Sequence, residues 1–102
     1  MGNSREELHE ILKKLLGSNN VYYQSPEKEM MEYPAIRYSK KDIESKFANN
    51  AAYSFNDCYE LIVIDYEPDN PVIKKLLALP YCTYDRWYSA DNLNHDVLTL
   101  YQ

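Results

Sequence analysis

The chain has 102 residues, of which 45% are hydrophobic and 26% are charged, and these values are typical of one ordinary folded domain with a modest core. Its formal net charge of −5 argues against a protein that wraps nucleic acid, because such binding depends on neutralising phosphates with Lys and Arg. The two glycines are too few for a glycine-rich phosphate-binding loop.

The first predicted element is an amphipathic helix from about Arg5 to Leu16. Ser4 and Glu7 have the spacing of a capping box, which satisfies free N–H groups at a helix start. Apolar residues then recur at helical spacing, and Gly17 supplies the stop. One face of this helix is expected to be buried.

Two short strands are predicted next, at Val21–Tyr23 and Ala35–Ser39. In the second strand Ile36 and Tyr38 share one face, and Arg37 points to the other. The segment from Lys40 to Ala52 is charged and weakly periodic, so we expect a long loop or an extended hairpin arm. A short amphipathic helix from Asp42 to Phe47 is the competing interpretation. Long loops in compact domains are usually functional or disordered.

The strongest strand pattern is Tyr59–Tyr66, which is apolar on both faces. Such a strand is expected in the centre of a sheet with cover on both sides. The sequence Asp69-Asn70-Pro71 then predicts a helix start, with a cap residue before a proline at the first helical position. The expected buried face of this helix is Ile73, Leu76 and Leu77, and Pro80 ends it.

Two final strands are predicted at about Tyr81–Ser89 and His95–Tyr101, joined by a turn at Ala90–Asn94. Asn and Asp suit this turn because they tolerate left-handed backbone geometry. The order α-β-β-β-α-β-β predicts a single α+β domain over residues 1–102 with a mostly antiparallel sheet. The step from the third strand through the second helix to the fourth is compatible with a parallel crossover.

The one group of side chains with a chemical character is Asp91, His95 and Asp96. A histidine flanked by carboxylates can bind a metal or act as a base. However, neighbouring residues on a strand point to opposite faces, so His95 and Asp96 would not share a site. Turn residues with a hydrogen-bonding histidine are therefore the favoured interpretation.

Nucleophilic catalysis is also disfavoured. Cys58 and Cys82 match no zinc or redox spacing, and no oxyanion-stabilising loop accompanies a pairing of either cysteine with His95. We expect reduced thiols in a cytoplasmic chain, because no signal peptide or membrane-spanning apolar run is present. His9 is expected to lie on the surface of the first helix. No catalytic residue, metal or cofactor is predicted.

The segment Arg86-Trp87-Tyr88 favours protein contact instead, because Arg, Trp and Tyr dominate interface hot spots. A core anchor is an equally favoured role for Trp87. Arg86 is expected to pair with an acidic residue across the hairpin or across a subunit boundary, and the candidates across the boundary are Asp85 and Asp91 of the neighbouring subunit. The 11 tyrosines of the chain also suit half-buried strands and interfaces.

The carboxy-terminal half carries a recognisable pattern. It consists of Leu79–Arg86, Ala90–Val97 and the Thr99-Leu100-Tyr101 end, and Tyr33-Pro34-Ala35-Ile36 also fits it. This pattern resembles small proteins from the morphogenesis modules of Gram-positive siphophages and prophages, known as tail terminator, tail completion or head–tail joining proteins. The resemblance touches most of the chain, and its specific part runs from Pro80 to Tyr101.

The resemblance implies a non-enzymatic virion protein, assembled in the host cytoplasm, that forms a hexameric ring at the head–tail interface. The ring would cap the tail tube protein and join it to the head connector, and DNA would pass through it without specific binding. The subunit interface expected from the residue types themselves consists of Asp85, Arg86, Trp87, Tyr88, Asp91 and His95. An arm that contacts the tube or a neighbour is expected to use Lys40, Lys41, Asp42, Glu44, Lys46 and Phe47.

Two alternatives remain open at this stage. A head-completion or tail-tube ring subunit would also use a small β-rich domain in a ring. A small regulatory binding module, for a host protein or a nucleic acid, is the alternative from another class of function.

Overall fold

The computed structural model describes residues 5–24, 31–41 and 58–101. The elements in chain order are α1 (Arg5–Leu16), β1 (Val21–Tyr23), β2 (Ala35–Lys40), β3 (Cys58–Asp65), α2 (Val72–Leu77), β4 (Cys82–Ala90) and β5 (Leu93–Tyr101). The predicted α+β class and element order are confirmed. The capping residue Ser4 and the interior of the arm, including the competing helix at Asp42–Phe47, lie outside the described residues.

Helix α1 has the predicted bounds and buries Leu8 and Leu12. It places acidic residues in its first turn and basic residues in its last turn, which matches the helix dipole. Gly17 ends it with φ of 82°, a left-handed conformation that glycine adopts without steric cost. The Gly17 N–H donates to the Lys13 carbonyl oxygen at 2.9 Å, so the C-terminal signal in the sequence was interpreted correctly.

The five strands form one sheet in the order β1-β2-β3-β5-β4. Strands β1 and β2 are parallel neighbours, and the remaining pairs are antiparallel. The central position predicted for β3 is confirmed. Strands β3 and β4 both run antiparallel to β5, so they are parallel to each other with β5 between them. The expected parallel crossover through α2 therefore exists, although its two strands are not neighbours.

Both helices lie on one face of the sheet, which we call the helical face. Its core contains Leu8 and Leu12 of α1, Val72 and Leu76 of α2, and Ile36, Tyr38, Tyr59, Leu61, Val63, Leu98 and Leu100 of the strands. The alternation of β2 is as predicted, since Tyr38 is buried on this face and Arg37 is half-exposed on the other. On that second face, where the described residues place no helix, Val97 and Ile64 are nevertheless buried.

Helix α2 differs from its prediction in one detail of burial. Val72 and Leu76 are buried, whereas Leu77 is exposed, because a helix of this length presents only one narrow face to the sheet. The N-cap position is occupied by Pro71, which has helical φ and ψ angles, and the side-chain oxygen of the preceding Asn70 accepts a hydrogen bond from the Val72 N–H at 2.9 Å. The helix ends at Leu77, three residues before the proline expected to end it.

The turn between β4 and β5 is tighter than the five residues predicted. It contains only Asp91 and Asn92, whose φ angles of 54° and 63° are both left-handed, while Ala90 pairs with Leu93. Two left-handed residues make the hairpin turn whose twist matches that of the flanking strands. The segment from Cys82 to Tyr101 thus forms one antiparallel hairpin of β4 and β5.

Candidate interaction surface: the outer edge of the β4–β5 hairpin

Strand β4 lies at one edge of the sheet and is exposed along almost its whole length. All seven residues from Thr83 to Ser89 are exposed, and only the two end residues are half-buried. It pairs on one side with β5, and no described strand pairs with its outer side. A long edge of this kind presents free backbone N–H and C=O groups that can accept another strand.

A β-bulge at Asp85 decides which side chains of β4 share a face. Tyr84 is opposite Leu98 and Arg86 is opposite Val97, so Asp85 is the extra residue. Beyond the bulge the alternation is shifted by one position. As a result Tyr84 and Trp87 both point to the helical face.

On the second face Asp85 and Arg86 are accompanied by Tyr88, which is opposite His95. Asp85 is assigned to this face because it accepts a hydrogen bond from Thr99. Thr99 lies on the second face of β5, opposite Thr83. Two successive residues on one face are characteristic of a bulge. The only acidic and the only basic residue of β4 therefore lie side by side.

On the helical face the hairpin is held by a bond to a buried carboxylate. The Tyr84 hydroxyl donates to Asp96 Oδ1 at 2.6 Å, and Asp96 is only 9% exposed. This hydrogen bond, with a smaller contribution from burial, raises the pKa of Tyr84 to about 12. The bond fixes the Tyr84 ring while leaving much of it accessible to a partner, since 44% of the residue is exposed.

Trp87 continues this surface towards the turn. Its indole Nε1 donates to Asn94 Oδ1 at 3.2 Å, and the Asn94 amide donates to the Tyr66 carbonyl oxygen at 3.2 Å. Trp87 remains 56% exposed. The prediction that Trp87 anchors the core is therefore wrong. Its exposed position is compatible with the alternative prediction, a role in an interface.

On the second face the polar, charged and aromatic side chains form two sets of contacts. The Thr99 hydroxyl donates to Asp85 Oδ2 at 2.6 Å, and Lys41 Nζ donates to Thr99 Oγ1 at 3.3 Å. The Tyr88 and His95 rings stack at 4.6 Å, and the Arg86 guanidinium lies 5.9 Å from the Tyr88 ring centre.

The structure brings most of the predicted interface residues to this edge. Asp85, Arg86, Tyr88 and His95 lie on the second face, whereas Trp87 lies on the helical face and Asp91 in the turn. Arg86 makes no ion pair within the part of the chain that the structure describes. The version of the prediction that paired it with an acidic residue across its own hairpin is therefore not observed.

The chemical alternatives are not assembled into a site. His95 and Asp96 point to opposite faces as predicted, and His95 Nδ1 lies 3.1 Å from the Leu93 carbonyl oxygen. Cys58 and Cys82 are free thiols, and Cys58 lies at the end of β3 far from His95 in the ladder. Burial, with a smaller effect of Asp85, raises the pKa of the Cys82 thiol, which disfavours the nucleophilic thiolate. Within residues 5–24, 31–41 and 58–101 no metal-ligating cluster occurs.

The surface position predicted for His9 is wrong. Its Nδ1 lies 2.8 Å from the Tyr38 hydroxyl, which also accepts a bond from Arg5 Nη1 at 3.5 Å. Burial, followed by the positive charges of Lys13 and Arg5, lowers the pKa of His9. His9 is therefore a structural contact between α1 and β2.

Only the start of the predicted arm is described. Lys40 is the last residue of β2, and the Lys41 N–H donates to the Cys58 carbonyl oxygen at 2.8 Å, so both continue the sheet. The other four arm residues, Asp42, Glu44, Lys46 and Phe47, lie outside the described residues.

Sequence reasoning missed Tyr84 and Asn94 as parts of the exposed edge. Neither residue stands out by residue type alone. The signal that could have found Asn94 is the strand alternation of β5, which puts Asn94 and Asp96 on one face. The bulge at Asp85, which brings Tyr84 and Trp87 together, has no comparable signature in the sequence.

Comparisons with protein-family models, with curated proteins and with solved structures found no match. Among the described helices, neither is long and apolar enough to cross a membrane.

Proposed function

We propose that this chain is a structural subunit of a bacteriophage tail that forms a hexameric ring at the head–tail junction and has no catalytic activity. The observation that carries the proposal is strand β4, a nine-residue edge strand with seven successive exposed residues. In the proposed ring this edge is covered by a neighbouring subunit or by a tail protein.

The chemistry of the edge supports a protein partner. Exposed Tyr84, Trp87 and Tyr88 supply large rigid apolar surface with polar tips, and Arg86 adds a charged donor. A strand edge of this length, to which no described strand pairs, is a liability for a free protein, because it can pair with any exposed strand. A role in assembly gives such an edge a defined partner.

The phage context comes from the sequence. The residues that resemble tail terminator and tail completion proteins are the ones that form β4, its turn and β5. The same hairpin thus accounts for both the resemblance and the exposed surface. With a net charge of −5, the proposed ring would let DNA pass without binding it.

The decisive experiment is deletion of the gene from the phage or prophage genome, followed by electron microscopy of the particles. We expect heads and tails that fail to join, and recovery of joined particles when the wild-type chain is supplied in trans. Symmetry analysis of the neck in the recovered particles should place a ring of this chain on the last tube ring.

Three outcomes would overturn the proposal. Normal infectious particles after deletion would exclude an essential role at the junction. Absence of the chain from purified particles, together with a phenotype before assembly, would favour a regulatory binding module. Density for the chain along the whole tube, or inside the connector, would instead favour the tube or head-completion alternative.

A further inference from the structure

The exposed edge of β4 is electrically neutral in an acidic protein. Its nine residues include one acid, Asp85, and one base, Arg86, although the whole chain carries −5. Two copies can therefore bring this edge together without the like-charge repulsion that much of the remaining surface would impose. The opposite edge strand, β1, has only three residues and offers a much shorter ladder.

We infer that the free chain pairs with a second copy of itself through β4, antiparallel and about a two-fold axis between Asp85 and Arg86. The two sheets would join into one continuous sheet with β4 of each copy at its centre. This inference concerns the free protein and does not depend on the tail role.

The register follows from the charges. With the axis between the two residues, Asp85 of each copy lies opposite Arg86 of the second copy, so two oppositely charged pairs form at the centre. Moving the axis onto Arg86 would place two guanidinium groups opposite each other. Like charges directly opposite on neighbouring strands destabilise a sheet, whereas opposite charges stabilise it.

The faces of the strand select the same register. Residues opposite each other in a sheet must point to the same face. Because of the bulge, Tyr84 and Trp87 share the helical face, and Asp85 and Arg86 share the second face. Pairing about the proposed axis places Tyr84 opposite Trp87 of the second copy, with both side chains on the helical face of the joined sheet. A regular strand without the bulge could not satisfy this register.

The pairing would cover the exposed edge before the chain meets other proteins. Tyr84 and Trp87 are 44% and 56% exposed in the single chain, and each would gain an aromatic partner of the kind that stabilises cross-strand contacts. If β4 also contacts a neighbour in the proposed ring, the pair must open first, and self-pairing then limits premature assembly.

Sedimentation equilibrium of the full chain in reducing buffer tests the pairing. We expect a reversible monomer–dimer equilibrium for the wild type. Arg86→Glu places Glu opposite Asp85 in both central pairs and should weaken association by about tenfold or more. Asp85→Arg combined with Arg86→Glu restores opposite charges and should recover most of the association.

Lys75→Glu is the matched control, because it changes the net charge by the same amount as Arg86→Glu at an exposed position of α2. We expect it to leave the equilibrium nearly unchanged. Circular dichroism and thermal melting of each variant verify that the fold is retained. A wild type that stays monomeric to millimolar concentration would overturn the inference, as would equal weakening by Lys75→Glu and Arg86→Glu.

Cross-linking tests the register itself. The proposed axis places Cys82 opposite Ser89 of the second copy on the helical face, so Ser89→Cys should give a covalent dimer with a short thiol-to-thiol reagent. Ala90→Cys lies on the other face and should give little dimer. Cross-linking through Ala90→Cys alone, or a hetero-oligomer in which β4 pairs only with a different protein, would refute the self-pairing.

Discussion

Strands β3 and β4 are similar in length, and both pair antiparallel with β5, yet their environments are opposite. Five of the eight residues of β3 are buried, whereas none of the nine residues of β4 is buried. Tyr59 on β3 is 0% exposed and Trp87 on β4 is 56% exposed. The difference comes from position in the sheet, since β3 has a neighbour on each side and β4 lies at the edge.

This contrast predicts that the residues that stabilise the fold differ from the residues that contact other molecules. The helical face around β3 contains the packed core of the described residues, so changes there should affect folding. The edge around β4 contributes few buried atoms, so changes there should mainly affect contacts with other molecules. Three substitutions test whether this separation holds.

The largest expected effect is that of Leu61→Ala on β3. Leu61 is fully buried between the helices and the sheet, so the change removes buried methyl groups and leaves a cavity. We expect a loss of about 2–5 kcal/mol in the free energy of unfolding, measured by urea denaturation. Thr83→Ala on β4 is the control and should stay within about 0.5 kcal/mol. Equal losses of unfolding free energy at both positions would contradict the proposed difference between β3 and β4.

Tyr84→Phe tests the hydrogen bond that links the edge strand to the buried Asp96 carboxylate. It removes the donor to the buried Asp96 carboxylate and should cost about 1 kcal/mol or somewhat more. Tyr81→Phe, at a tyrosine that is 77% exposed, should cause almost no change. A similar loss in both variants would show that the Asp96 bond contributes little.

The same bond predicts a difference at alkaline pH. The pKa of Tyr84 is raised from 10 to about 12 in the folded chain, so its contribution to stability is fully present below pH 10 and lost as pH rises towards 12. The stability difference between wild type and Tyr84→Phe should therefore shrink over this range. Ultraviolet titration should show one late-ionising tyrosine fewer in Tyr84→Phe than in the wild type. A stability difference that stays constant across this range would contradict the assignment.

The smallest expected effect on stability is that of Trp87→Ala. Since most of the ring is exposed, we expect a loss below about 1 kcal/mol in urea denaturation. In contrast, recovery of joined particles should fall strongly when this variant replaces the wild type in the deletion strain. Leu77→Ala, which removes an exposed apolar side chain from α2, should leave recovery normal. Full recovery with Trp87→Ala would exclude the edge as the assembly surface.

Local patterns in the sequence were sufficient for most of the elements. The bounds of α1, the existence of all five strands and the central place of β3 were predicted, because apolar spacing and capping residues act over a few positions. The hairpin turn was placed correctly but made too long. Asn and Asp signal a turn, whereas pairing with the opposite strand decides how many residues it contains.

Residue type was sufficient to predict which residues form the candidate surface, but not how their side chains are arranged on it. Arg86, Trp87 and Tyr88 were singled out because of the side chains they carry, and all three are exposed. Their division between two faces was not predicted, since it depends on the bulge at Asp85. The contact of His9 with Tyr38 was missed for a related reason, because it joins two elements that are distant in sequence.

The sequence by itself determined the α+β class, the element order and a neutral β4 within an acidic chain. These properties depend on composition and on short-range spacing. Only the tertiary structure decided that β4 lies at the edge, that Tyr84 bonds the buried Asp96 and that Asp85 and Arg86 share a face. Each of these depends on which strands pair and in which register, and residue spacing along one strand does not specify the partner strand.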